Sequence, residues 1–274
     1  MLVCRDRSLA LDGKPKMVGI VNVTGDSFFD GGQFVSHGAA IEQALKLIAE
    51  GAAMIDVGGQ STRPGYEELS AEEEIARVVP VIQALAQQTS VVISVDTYKP
   101  AVARAAWQAG AHVLNDIHGF QGEPAMAAVA AESGCAVILM HNDAAFKTMP
   151  GDPLAAMCAF FERSFALAAA SGVAREKLVL DPGIGFAKTH EQNVELLARL
   201  GELRVFGLPL LLGASRKSVI GNILMLPSEE RLEGTLATTA LAVWQGVEFI
   251  RVHDVRANAR AAQTAHALRT FSKS

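Results

Sequence analysis

Polar residues stand at the ends of a series of short apolar runs, and their types say what the chain could do. In chain order they are Asn22, Asp56, Asp96, Asn115 with Asp116, His141, Asp181, Lys217 just beyond Gly213, and Arg251 with His253. Asp96, Asn115 and Asp181 offer acceptors, the asparagine a donor as well. Such a set suits a flat heterocycle with a donor-rich, guanidine-like edge, which a carboxylate binds through two parallel hydrogen bonds. Arg63, Lys217, Arg251 and His253 are cationic or can become so, and suit a phosphate or diphosphate. An acidic floor with a basic rim points to an amino-heterocycle that bears a phosphorylated leaving group. Taken singly, a carboxylate after a strand can cap the next helix, and a lone histidine is commonly a core residue. Converging on one mouth, they make a ligand site.

The elements that would bring them together follow from the apolar pattern. The stretch Leu208 to Gly221, LPLLLGASRKSVIG, begins as a strand buried on both faces. It breaks at Gly213 into a small-residue loop with two adjacent cations, Arg216 and Lys217, and the hydroxyl of Ser218, where glycine lets a ligand approach the backbone. Further strands are expected at Met17–Asn22, Ala53–Gly58, Val91–Asp96, His112–Asn115, Ala136–His141, Leu178–Asp181 and Phe249–His253. Between them lie helical patterns. Ile41, Ala44, Leu45 and Ile48 make one stripe, and Leu232, Leu236, Ala240 and Val243 another. Helices are also expected at Ala71–Gln87, Pro100–Ala109, Pro124–Ser133, Pro153–Ala170, His190–Leu203 and Arg256–Ala267. The long insertion Asn142–Asp152 reads as a mobile loop.

Strand-then-helix repetition of this kind gives an α/β fold, a closed (β/α)₈ TIM barrel with its site at the C-terminal ends of the strands. A doubly wound open sheet is the alternative, because periodicity does not show closure. The count of strands and the lack of a GxGxxG turn after the first one favour the barrel. No linker or repeat divides residues 1–274, so a single domain is expected.

Composition narrows the class. Half of the 274 residues are hydrophobic, enough for a large core. A net charge of −5 argues against a nucleic-acid surface. No run approaches the roughly 20 apolar residues of a membrane span, and the first residues lack a signal-peptide core. Cys4, Cys135 and Cys158 are too scattered for a disulfide framework or a zinc site. A cytoplasmic protein is the expectation.

Several motifs, in order, resemble those of the dihydropteroate synthases. They are NVTGDSFFDGG at Asn22–Gly32, DVGGQSTRPG at Asp56–Gly65, SVDTYKPAVA at Ser94–Ala103, LND at Leu114–Asp116, DPGIGFAKT at Asp181–Thr189, LLLGASRKSVIG at Leu211–Gly221 and RVHDV at Arg251–Val255. The resemblance implies a pterin-binding barrel that joins 6-hydroxymethyl-7,8-dihydropterin diphosphate to 4-aminobenzoate and releases diphosphate. It implies that Asp96, Asn115, Asp181 and Lys217 hold the pterin, with Met140, Phe186 and Gly213 beside it. Asn22 would contact Mg²⁺ on the diphosphate, and Arg63, Arg251 and His253 the diphosphate itself. Thr62, Pro64, Phe186 and Ser218 would line the 4-aminobenzoate position. Lys217, Arg251, His253, Asp96 and Asp181 would form the catalytic set. The resemblance also implies a homodimer.

Some positions depart from the family pattern. Gly25 stands where proline is usual, Phe29 where serine is usual, Gln60 for glutamate, His118 for a small residue and Ala187 for glycine. Asn142–Asp143–Ala144 follows His141 where a Met-x-Gly run is frequent. Gly25 and Phe29 raise the expectation of reduced sulfonamide sensitivity. A folate-dependent methyltransferase and a non-catalytic pterin-binding protein are the competing functions. A methyl transfer has no diphosphate to hold, which argues against the first, and the intact set of diphosphate contacts argues against the second.

Overall fold

The computed structural model describes residues 1–23, 33–60 and 68–272. The chain enters through a short antiparallel hairpin, β1 (Leu2–Cys4) and β2 (Arg7–Leu9), which sequence patterning does not show. The barrel strands follow: β3 (Lys16–Asn22), β4 (Ala52–Gly58), β5 (Val92–Asp96), β6 (Val113–Asp116), β7 (Ala136–Met140), β8 (Leu178–Asp181), β9 (Leu211–Leu212) and β10 (Phe249–Val252). All pair in parallel, in the order β8-β7-β6-β5-β4-β3-β10-β9. The two edges meet through a bridge between Leu180 and Leu210, where Leu180 N–H donates to Pro209 O at 2.9 Å. The sheet closes into the expected barrel.

Helices α1 (Gln33–Ala49), α2 (Ala71–Gln88), α3 (Pro100–Ala109), α4 (Ala125–Ser133), α5 (Pro153–Ala170), α6 (His190–Ala198), α7 (Ser218–Leu224), α8 (Leu232–Gln245) and α9 (Val255–Phe271) surround it. Their starts are chemically marked. Ser70 and Glu73 form a reciprocal capping box at α2, and Asp152 caps α5, whose first residue is Pro153. Helix α5 is long and apolar enough to cross a membrane by length and composition, yet Leu154, Met157, Phe160, Phe161 and Phe165 bury one face against the fold. The helix expected over His190–Leu203 stops at Ala198 and continues as a 3₁₀ turn, Leu200–Phe206. Helix α7 was hidden in a segment too short to show a period.

Two cores divide the apolar residues by strand parity. Val18, Met54, Val92, Val113, Ala136, Ile138, Val179, Leu211 and Phe249 pack inside the barrel, closed from below by Leu2, Cys4 and Leu9 of the hairpin. Met17, Ile55, Ile93, Leu114, Val137, Leu139, Leu180 and Ile250 face outward onto the helices. Arg5 pins the hairpin by donating from Nη1 to Trp107 O and Ala111 O, at 2.9 and 2.8 Å. The bottom of the barrel is therefore sealed, and only the upper end can admit a ligand.

The segment Asn142–Asp152, expected to be mobile, is anchored. Ala144–Thr148 forms a 3₁₀ turn capped by Asp143, Phe146 is fully buried, and Gln192 Nε2 donates to Phe146 O at 3.0 Å. A buried aromatic near the middle of a polar stretch carries no periodicity, which is why the pattern missed it.

Candidate active site

Parity decides which strand-end residues reach the mouth. Counting in twos from the inner core, Met54 leads to Asp56, Val92 to Ser94 and Asp96, Val113 to Asn115, Ile138 to Met140, Val179 to Asp181, Leu211 to Gly213, and Phe249 to Arg251 and His253. Val18 leads likewise to Asn22, which is exposed at the end of β3. These residues form a polar tier directly above the apolar barrel interior. Asp116 and His141 have the opposite parity and do not belong to it.

Both have structural work instead. Asp116 accepts the backbone N–H groups of His118 and Phe120, each at 2.8 Å, and so shapes the loop after β6. His141 is fully buried among Phe146 and Phe160, with ring centroids 4.5 and 4.6 Å away. Neither of its ring nitrogens has a hydrogen-bond partner. Burial, helped by nearby Lys188, pushes its pKa down to about 2, so the ring is neutral and behaves as an aromatic. Including His141 among the polar ends of the mouth was an error of parity.

The floor is held together by charge. Arg251 Nε donates to Asp56 Oδ2 at 2.6 Å, and its Nη2 donates to Asp96 Oδ2 at 2.7 Å. Asn115 Nδ2 donates to the same Asp56 oxygen at 3.1 Å. Asp181 Oδ1 accepts from Gly183 N at 2.7 Å. Gly213 leaves open the space beside Asp181 and Arg251, since a Cβ there would lie 3.7 Å from Asp181 Oδ2 and 3.8 Å from Arg251 Cδ. Burial raises the pKa of Asp96 to about 7 against the pull of Arg251. Burial also raises that of Asp181, opposed by Lys217. For Arg251 burial acts downward, but Asp56 and Asp96 outweigh it and the pKa moves up.

Lys217 reaches the floor from the N-terminus of α7. Its Nζ donates to Ile184 O at 2.6 Å and lies 4.5 Å from the centre of the Phe186 ring. Burial lowers its pKa to about 8, with Asp181 acting in the other direction. Of the two adjacent cations only Lys217 joins the site. Arg216 is tied to Asp254 by two hydrogen bonds of 2.9 and 2.7 Å and holds the loop. Ser218 is exposed at the first position of α7.

Two contributors were not singled out by sequence reasoning. Ser215 Oγ lies 2.9 Å from His253 Nδ1 and accepts His253 N–H at 3.3 Å, so it orients the imidazole. Lys188 is buried and donates to the carbonyls of His141, Gly183 and Phe186 at 3.1, 2.9 and 3.1 Å, which fixes the loop carrying Phe186. Burial lowers the Lys188 pKa to about 7, opposed by Asp181. Ala187 in that loop has φ +43°, a conformation in which glycine is unstrained, so replacing the family's glycine here brings a local cost. Parity would have found Ser94, but nothing in the sequence marks Lys188 as a loop anchor.

Thr62, Arg63, Pro64, Gly25 and Phe29 lie outside the described residues. Gln60, just before the second of these stretches, accepts from Lys99 Nζ at 2.6 Å and donates to Tyr98 Oη at 3.2 Å. The Tyr98 hydroxyl accepts this bond while donating its own proton to Glu68 Oε1 at 2.8 Å.

The described residues therefore offer an acceptor-rich floor crossed by two cations. Asp56 Oδ1, Ser94 Oγ and Asn115 Oδ1 are buried without a partner, which is the pattern expected where a ligand supplies donors. Among the described residues no cluster of three or more His, Cys, Asp or Glu could hold a metal ion.

Comparison with known proteins agrees with this chemistry. A family model described as pterin binding enzyme matches residues 18–253. The dihydropteroate synthase of a Synechocystis strain is 49% identical over 258 residues, which cover 92% of this chain and 89% of that protein. A Yersinia pestis dihydropteroate synthase, solved as a sulfonamide drug complex, superposes with a TM-score of 0.91 at 43% identity, covering 98% of this chain and 99% of that one. A Xanthomonas albilineans dihydropteroate synthase solved with 4-aminobenzoic acid gives 0.91 at 40% identity, over 97% of each chain. With matches of this extent on top of the site's acceptor-rich floor, the chain belongs to the pterin-binding enzyme family, among the dihydropteroate synthases.

Proposed function

We propose that this synthase divides its reaction between the floor and the rim of the barrel mouth. The reaction is the transfer step of folate biosynthesis: 4-aminobenzoate displaces diphosphate from 6-hydroxymethyl-7,8-dihydropterin diphosphate and gives 7,8-dihydropteroate. The observation that carries the assignment is the inward set Asp96, Asn115 and Asp181, crossed by Arg251 and flanked by Lys217. Asp96, Asn115, Asp181 and Lys217 hold the pterin's polar edge, with Met140 and Phe186 against its ring and Gly213 leaving room for it. Arg63, Arg251 and His253 receive the diphosphate. Thr62, Pro64, Phe186 and Ser218 surround the 4-aminobenzoate.

The chemistry needs no side-chain nucleophile. As the bond from the methylene carbon to the diphosphate oxygen breaks, positive charge spreads into the electron-rich pterin. The carboxylates of Asp96 and Asp181 favour that charge, and the cations of the rim favour the charge on the departing oxygens. Holding the aryl amine in line then supplies proximity, and its nitrogen forms the new bond to carbon as a proton leaves.

The residues present fit Mg²⁺ as a passenger of the diphosphate. Asn22, exposed at the end of β3, would offer one amide oxygen, and no group of three or more His, Cys, Asp or Glu that could cage the ion lies among the described residues. Mg²⁺ keeps several waters and is commonly held by one or two protein oxygens plus phosphate. Bound there, it would neutralise phosphate charge.

The decisive assay is diphosphate release from the pterin substrate. Release that depends on both 4-aminobenzoate and Mg²⁺ supports the assignment, and release indifferent to 4-aminobenzoate overturns it. The homodimer has a candidate surface, since Trp244 of α8 and Leu268 and Phe271 of α9 are exposed apolar residues. Light scattering should give twice the monomer mass, and a monomer at micromolar concentration would remove this surface from consideration.

Reduced sulfonamide sensitivity is part of the same reading. Glycine at position 25 widens the conformational range where proline fixes φ, and phenylalanine at 29 adds bulk. A clash with the sulfonyl group that spares the carboxylate needs only a few kcal/mol to give about a hundredfold discrimination. The native protein should show a raised ratio of sulfonamide inhibition constant to 4-aminobenzoate KM, and Gly25→Pro/Phe29→Ser should lower it. An unchanged ratio after reversion would show that these residues do not set the discrimination.

A further inference from the structure

Asp56 lies one step deeper in the barrel than the residues assigned to the pterin, and it is fully buried. A carboxylate so placed is strongly unfavourable without donors. Its donors are specific: Arg251 Nε at 2.6 Å and Asn115 Nδ2 at 3.1 Å, both on Oδ2. Asn115 itself is nearly symmetrical in shape, so nothing in its own side chain selects which end meets a ligand. A carboxylate settles the matter, because it only accepts and must face the NH₂ end. The other end, Oδ1, is then buried with no partner among the described residues.

We propose that Asp56 is a positioning residue for substrate recognition, turning the Asn115 amide so that its oxygen is the atom offered to an N–H of the pterin. The inference rests on the pterin reading of the floor. It adds a basis for selectivity: a heterocycle presenting an acceptor at this point meets oxygen against oxygen and is rejected.

A donor–acceptor exchange tests it. Binding of 6-hydroxymethylpterin, which lacks the diphosphate, is measured by calorimetry for the native protein, Asp56→Asn, Asn115→Asp, Asn115→Ala and the double variant Asp56→Asn/Asn115→Asp. Each single variant should lose about tenfold or more in affinity, because a buried hydrogen bond is mispaired. The double variant exchanges donor and acceptor, keeps net charge and still leaves an oxygen for the ligand, but Arg251 Nε donates to the same Asp56 oxygen. The exchange therefore restores one of that atom's two bonds, and the double variant should bind better than either single exchange without reaching native affinity. Losses that multiply in the double variant would overturn the proposal, as would normal binding by Asp56→Asn when Asn115→Ala has lost it. Normal binding by Asn115→Ala would overturn the pterin reading itself. Should Asp56→Asn fail to fold, the double variant decides the question by comparison with Asn115→Asp: tighter binding supports the proposal and equal or weaker binding overturns it.

Discussion

Replacing Arg251 by alanine should cost about 3–5 kcal/mol of stability and also remove nearly all turnover, since breaking a buried ion pair strands its partner. The stranded groups here are two. Asp56 is fully buried, Asp96 is 17% exposed, and both direct an oxygen at the same guanidinium, at 2.6 and 2.7 Å. Without it, the two carboxylates repel each other in a site already poor in water. The site can relieve this by taking up a proton, and Asp96, with its pKa raised to about 7 even beside Arg251, is the group that takes it.

The pH dependence follows in sign. A carboxylate whose folded pKa lies above its unfolded value favours the folded state while protonated and loses that contribution as pH rises through the folded pKa. In Arg251→Ala the folded pKa of Asp96 moves further up. The stability deficit should therefore be larger at pH 8 than at pH 6, and urea melts at the two values measure it. Equal stability of variant and native protein at pH 8 would show that Arg251 does not hold the floor together. The same geometry alters what ligand binding should show. The sequence places Arg251 against the diphosphate, which predicts a far larger loss for the pterin diphosphate than for the bare pterin. Its place between Asp56 and Asp96 predicts that both ligands lose affinity. Arg251→Lys should fall between, because an ammonium carries the charge but cannot span two carboxylates with a fixed fork.

What the sequence made legible was the repetition. A buried parallel strand is a short apolar run with a polar residue at its end, and seven of the eight expected strands match within one residue at either end. A full strand is expected over Leu208–Gly213, but only Leu211–Leu212 pairs as one, with Leu210 bridging to Leu180. Pro209 lies in that run, and a residue with no N–H cannot serve an interior ladder. The strand expected at His112–Asn115 is shifted by one, because the His112 ring instead accepts Ile93 N–H through Nδ1 at 3.0 Å. The hairpin escaped because strands of three residues have no period to detect.

The site was legible in residue type more than in direction. Asp96, Asn115, Asp181 and Arg251 all face inward as the chemistry requires, and so does Asp56, a polar strand end to which the sequence assigns no ligand contact. Strand parity was available from the sequence: Met54 and Asp56 are two apart, whereas Met140 and His141 are adjacent and must face opposite ways. Lys188 was beyond reach for a different reason. Its three carbonyl partners come from His141, Gly183 and Phe186, and backbone carbonyls leave no trace in a sequence.

The Asp181 carboxylate should be worth about ten- to a hundredfold in pterin affinity, the usual range for a charge-assisted contact. Asp181→Ala alone would not prove it, because Asp181 has two tasks. Its Oδ1 accepts Gly183 N–H at 2.7 Å, which secures a turn where Gly183 has φ +64° and where even a Cβ would lie 2.1 Å from His141 O. Its charge also supports that of Lys217, whose pKa burial has already lowered to about 8. Alanine removes both the turn's acceptor and the counter-charge, so Lys217 shifts further toward its neutral form at pH 7. Asp181→Asn separates the tasks. It keeps an oxygen for Gly183 and so should melt close to the native protein, but it puts an NH₂ where the ligand's donors need a second acceptor. Calorimetry with the bare pterin should therefore find both variants weakened, while only Asp181→Ala also loses thermal stability. Native affinity in Asp181→Asn would mean that this carboxylate shapes the loop and never touches the pterin.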